Sequence, residues 1–167
     1  MTLFQLNQLS QKDLEIELQK CCGSPTWVKN MAALFPVQSM KEMLDQSDEI
    51  WDDCTEEDAR EAFLHHPKIG DLSQLNQKFG ATSEWASGEQ EGVQHTTTQV
   101  LEALAESNQA YETKFGYIFI VCASGMLAEE MLSLLTLRLL NNPEDEICIA
   151  MEEQNKITRL RLKKLLA

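Results

Sequence analysis

Four times in this chain a small polar residue is followed by a proline or by acids, in the manner in which a helix begins. Ser10 has Asp13 three residues on, Ser24 precedes Pro25, Thr55 precedes Glu56, Glu57 and Asp58, and Asn142 precedes Pro143, Glu144 and Asp145. A cap side chain satisfies first-turn N–H groups, proline has no N–H to lose there, and acids complement the positive helix end. Starts this frequent leave little room for a sheet. Apolar residues between them recur at helical spacing: Leu14 and Leu18; Trp27, Val28, Met31 and Leu34; Met40, Met43, Leu44, Ile50 and Trp51. Gly23 reads as the stop of the first run, Pro36 closes the second, and the third covers Ser39 to about Asp53.

The helix begun at Thr55 should run to His65 or His66, because Pro67 disfavours the α region for the residue before it. From Pro67 to about Ser83, glycines and mixed polar residues read as a long loop, a length that in a compact domain is often functional. A helical pattern follows from about Glu84 to Lys114. FGYIFIVC is β-branched and aromatic, and suits either a short strand or an extended core-crossing segment. Leu127 to Leu140 and the run after Asn142 complete the pattern. The expectation is a single all-α domain over residues 1–167, a bundle of about seven to nine helices with one long loop after the HHP segment.

Composition narrows the function. A net charge of −13 argues against nucleic acid, since nothing here would neutralise a row of phosphates. The N-terminus lacks the pattern of a secretory signal, and the most apolar stretch, FGYIFIVCASGMLA, is too short to span a bilayer. Five cysteines at irregular spacing make neither a disulfide framework nor a paired zinc knuckle, and read as reduced thiols of a cytoplasmic protein. There is no phosphate loop and no dinucleotide fingerprint. His65 and His66 project about 100° apart on a helix, which is not the i, i+4 pair of zinc helices, so no metal and no cofactor is expected.

Three polar groups remain. His66 has its backbone restrained by Pro67, although a histidine at a helix C-terminus is also favoured by the helix dipole. Glu89 lies in SGEQEG near a helix start and Arg161 in ITRLRLKKL near a helix end, both routine positions for such charges.

Their order is more telling than any one of them. FLHHPKIGDL, SGEQEGV, NQAYETKFGYIFIVCASG and EEMLSLLTLRLLNNPEDEICIAMEEQNKITRLRLKKL follow one another along the chain. With the patterns HPxIG, EQxG, YxxxFGxxFI, RLxN (Arg138 to Asn141) and IxxLRL, the chain resembles the OHCU decarboxylases. These are enzymes of 2-oxo-4-hydroxy-4-carboxy-5-ureidoimidazoline in the conversion of urate to allantoin. The resemblance implies an all-α fold, a homodimer and a small ureidoimidazoline substrate. It also implies His66 as the catalytic histidine, Glu89 as its acidic partner, and Pro67, Gln90, Phe119, Ile120 and Arg161 as substrate contacts. Two positions depart from the family pattern: Ala86 stands where a serine is usual, with Ser87 beside it, and Ile118 replaces a proline. An inactive ureide-binding pocket, or an all-α interaction module using the same leucine stripes, is the alternative reading.

Overall fold

The computed structural model describes residues 1–66 and 90–167, with the backbone alone for 90–97. Eight helices occur among the described residues: α1 (Leu3–Asn7), α2 (Gln11–Cys21), α3 (Pro25–Ala32), α4 (Met40–Asp52), α5 (Glu56–Leu64), α6 (Gln90–Phe115), α7 (Ala128–Arg138) and α8 (Pro143–Leu165). No strand occurs among them, so the all-α reading holds. The loop expected after the HHP segment, and the start of the helix expected from Glu84, lie outside the described residues.

The caps are where the sequence places them. The hydroxyls of Ser10, Ser24 and Thr55 accept from the N–H three residues on, as does Asn142 Oδ1 from Asp145 N at 2.8 Å. Thr2 and Ser39 cap α1 and α4 in the same way. At Thr55 the box is reciprocal, since Asp58 Oδ2 accepts from the Thr55 N–H. Hydrogen bonds from the Thr26 hydroxyl and from Thr55 hold the Asp58 carboxyl below the usual range, tying the start of α5 to the first turn of α3.

The chain divides into two compact units. The first comprises Met1–His66, Ile120–Cys122 and Ile147–Ala167. In it α3 packs against α2, α4 and α5 around Leu18, Trp27, Met31, Met43 and Phe63, all fully buried. Three contacts fasten α4 to α8: Trp51 Nε1 donates to the Met151 carbonyl at 3.0 Å, Asn155 donates to Asp48 at 3.0 Å, and Arg159 pairs with Asp48.

The second unit comprises Pro67–Phe119 and Ala123–Glu146. Here α6 packs against α7, and the RLxN motif acquires a structural meaning. Arg138 and Glu146 are buried, and the Glu146 carboxylate takes hydrogen bonds from Arg138 Nε at 2.7 Å, from Asn141 Nδ2 at 2.8 Å and from the Tyr111 hydroxyl. Burial first, and then the bond to Glu146, push the Tyr111 hydroxyl well above its ordinary pKa. The α6 helix ends at Gly116, whose φ of 78° is a left-handed value that a side chain would strain, while its N–H bonds back to Glu112. Beyond Phe115, which closes α6, residues 116–122 are neither helix nor strand.

Gly23 stands just past the end of α2, where the sequence places a stop. The α2 helix ends on Cys21 with Cys22 as an extended cap, and Gly23 is not among the glycines with positive φ. Its role is close approach: a Cβ there would lie 2.4 Å from His65 Cγ and Cδ2 and 2.5 Å from His65 Cβ. The glycine is needed because the end of α5 rests on this turn.

Candidate active site

The last turn of α5 sets the two histidines apart. The N–H groups of His65 and His66 bond to the Ala62 and Phe63 carbonyls, three residues back, so the helix tightens as it ends. Phe63, 1% exposed, anchors that end in the core. His65 is the exposed cap residue lying over Gly23, and His66 is half-buried. The imidazole Nε2 of His66 lies 2.6 Å from Gln154 Oε1 on α8.

Gln154 belongs to a polar stripe. Gln154, Thr158 and Arg161 are four and three residues apart, the spacing that keeps side chains on one helix face. Gln154 and Thr158 are buried, at 0% and 1% exposure, and Gln154 Nε2 donates to Thr158 Oγ1 at 3.2 Å. The Cys22 thiol also hydrogen-bonds Thr158, and burial pushes it up to about 11. One residue before Gln154, the Glu153 carboxylate accepts from the Cys122 N–H at 2.7 Å, which fixes the segment bearing Ile120 to α8.

Arg161 lies two turns beyond Gln154, about 10 Å along the axis at 1.5 Å per residue. Its Nη1 donates to the Lys20 carbonyl at 3.3 Å, near the end of α2. Among the described residues no carboxylate pairs with it, whereas Arg159 pairs with Asp48 and Arg138 with Glu146.

In the first unit His66 thus meets Gln154 of α8, the Cys122 N–H, two residues past Ile120, meets Glu153 of α8, and Arg161 lies on α8 itself. Phe119, in the second unit, lies under the Arg138 guanidinium at 4.6 Å and edge-on to Tyr111 at 5.2 Å. Pro67 and Glu89 lie outside the described residues, and for Gln90 only the helical backbone is described. Gln154 and Thr158 had no part in the sequence reading. Their sole local signal is the Gln-x-x-x-Thr-x-x-Arg spacing, and His66 is 88 residues away.

Among the described residues no group of three or more His, Cys, Asp or Glu is placed to hold a metal ion. The cysteines divide by burial. The thiols of Cys21 and Cys54 are raised to about 12 by burial and that of Cys22 to about 11, while Cys148 is exposed. Iodoacetamide at mildly alkaline pH should therefore label Cys148 in the folded protein and reach Cys21, Cys22 and Cys54 only after unfolding. Peptide mapping checks this, and labelling of Cys22 as fast as Cys148 would contradict it.

All-α among the described residues, the chain sets a histidine against a buried amide of the helix that also bears Arg161. The chain belongs to the OHCU decarboxylase family, whose model matches residues 7–163. It is 39% identical over 153 residues to the uric acid degradation bifunctional protein TTL of Arabidopsis thaliana, covering 90% of this chain and 47% of that protein. It is 35% identical over 103 residues to the 2-oxo-4-hydroxy-4-carboxy-5-ureidoimidazoline decarboxylase of Amia calva, covering 60% of this chain and 57% of that one. The chain thus spans about half the length of these curated relatives. A crystal structure of an OHCU decarboxylase in the presence of (S)-allantoin matches with a TM-score of 0.71 and 36% identity, over 90% of this chain and 96% of that one. No helix among the described residues is long and apolar enough to cross a membrane.

Proposed function

We propose that the chain, as one domain, decarboxylates 2-oxo-4-hydroxy-4-carboxy-5-ureidoimidazoline to (S)-allantoin in urate catabolism, without a cofactor. The observation that carries this reading is His66, held by Gln154 on the α8 face that also bears Arg161. In the substrate the carbon bearing hydroxyl and carboxylate adjoins an imine-like ring carbon. Breaking the carbon–carboxylate bond releases CO₂ and moves the electron pair into that neighbour, giving an enol-like intermediate. No external electron sink is required. One proton delivered to a single face of the ureido-bearing carbon then gives one enantiomer.

His66 suits hydrogen bonding to the hydroxyl or carboxylate and transfer of a proton near neutral pH. Glu89 is proposed to hold the imidazole or to carry the proton delivered last. Gln90, with both donors and an acceptor, is proposed to pair with ureide edges, and Pro67 and the main chain at Phe119 and Ile120 to contact the ring. Arg161 offers a planar fork of donors to a flat anion. Release of CO₂ from freshly generated substrate, unchanged by chelator, is the expected result. Release no faster than without protein, or lost on chelation and restored by zinc, would refute the reading.

Arg161→Ala is expected to weaken substrate binding by about 1.5–3 kcal/mol, the range for hydrogen bonds to charged groups. KM and calorimetric titration with (S)-allantoin measure it, and normal affinity in a folded variant would remove Arg161 from the site.

The cytoplasm is the proposed compartment, supported by five cysteines that are all free. The homodimer implied by the family is also proposed, and Leu137 and Leu140, 63% and 79% exposed at the end of α7, suit such a contact. Sedimentation of the full chain tests it.

A further inference from the structure

We infer that Gly23 is a positioning residue for His66: the turn closing α2 seats the end of α5, and only a residue without a side chain lets that end reach the place where the imidazole is held. The inference rests on the catalytic role proposed for His66.

The requirement is one of space. The φ of Gly23 is not positive, so its backbone conformation does not itself demand glycine. A Cβ on Gly23, however, would lie 2.5 Å from His65 Cβ and 2.4 Å from His65 Cγ and Cδ2. Carbon atoms attract best at about 3.5–4.0 Å, so all three contacts are repulsive. His65 Cβ is fixed to the main chain, and no rotamer of the ring removes the clash.

One side of this contact is pinned and the other is not. Cys22, Gly23 and Ser24 are buried. The Ser24 hydroxyl caps α3 by accepting from the N–H of buried Trp27 at 3.2 Å, and the Cys22 thiol hydrogen-bonds Thr158. Across the contact, Ala62 and Phe63 are buried, whereas Leu64 and His65 are exposed in the last turn of α5. A side chain at position 23 therefore displaces the chain beyond Phe63, and His66 moves with its neighbour. Its Nε2 lies 2.6 Å from Gln154 Oε1, so a shift of about 1 Å takes the pair out of hydrogen-bonding distance. Arg161 is tethered earlier, to the Lys20 carbonyl inside α2, and should keep its place.

Three variants of the full chain grade the clash. Gly23→Ala meets the whole His65 side chain, Gly23→Ala with His65→Ala keeps only the Cβ contact at 2.5 Å, and Gly23→Ala with His65→Gly removes it. Nitrogen-15 spectra of histidine-labelled protein without ligand report the seat, with His66 assigned by its loss in His66→Gln. The His66 ring signals are expected to move in the first two variants and to return to their parental positions in the third. In Gly23→Ala kcat should fall about tenfold to 10²-fold, the penalty for misplacing a reacting group by about 1 Å. The Kd for (S)-allantoin should change by less than about threefold, because Arg161 stays in place. With His65→Gly added, kcat should return to within a few-fold of His65→Gly alone. Signals and kcat unmoved by Gly23→Ala, or altered and not restored by His65→Gly, would overturn the inference. So would unfolding of both clashing variants with folding regained in the third, since the seat would then be structural alone. Because the spectra need no turnover, a parent without decarboxylation would refute the proposed function while the ring signals still decide whether Gly23 seats His66.

Discussion

Replacing His66 with glutamine is expected to slow turnover about 10²-fold or more, while the same change at His65 stays within a few-fold of the parent. Glutamine keeps size and hydrogen-bonding capacity at position 66 but removes the titratable proton. The neighbours share a helix end and differ in what they touch. His66 is half-buried against Gln154, whereas His65 is exposed and lies over Gly23. A deficit in His65→Gln should therefore follow stability, since the ring it removes seats the end of α5. Circular dichroism and urea midpoints recorded beside the rates separate the two effects. Equal losses would mean a shared structural role, and a larger loss at His65 would show that the other neighbour does the chemistry.

Arg138→Met is expected to destabilise the protein by about 3–5 kcal/mol, the usual cost of stripping one partner from a buried ion pair. Glu146 is fully buried and would lose its cationic partner, keeping only Asn141 and Tyr111 as donors. Phe119 would also lose the guanidinium stacked 4.6 Å from its ring. The double variant Arg138→Met with Glu146→Leu should recover part of the loss, because a buried pair replaced by apolar side chains is often near neutral. Urea denaturation followed by circular dichroism measures both. A single-variant loss below about 1 kcal/mol, the ceiling for exposed pairs, would mean that the pair is solvated.

Helix starts were legible because a cap and its partner are three residues apart, so the signal is complete within one turn. Ser10, Ser24, Thr55 and Asn142 all cap helices. Gly23 shows where local reading is incomplete: it stands where the helical run stops, but it also makes room for His65, over forty positions away. FGYIFIVC has the composition of a strand and is not paired as one. A main-chain donor in it, the Cys122 N–H, is met by the Glu153 carboxylate on α8. RLxN marked the family without revealing a purpose; Arg138 and Asn141 converge on Glu146, which lies beyond the motif. Of the candidate site, His66 and Arg161 were named from sequence, and Arg161 stands on α8; the contact that brings His66, just past α5, to Gln154 of that helix joins residues 66 and 154, and no local pattern encodes it.

The most direct test is stereochemical. Substrate freshly generated from urate is mixed with the chain, and allantoin ellipticity is followed against spontaneous decay. A signal of the (S) enantiomer that rises faster than the uncatalysed reaction, in proportion to protein, is the predicted result. Racemic allantoin formed at the uncatalysed rate would contradict the assignment of this chain as a decarboxylase.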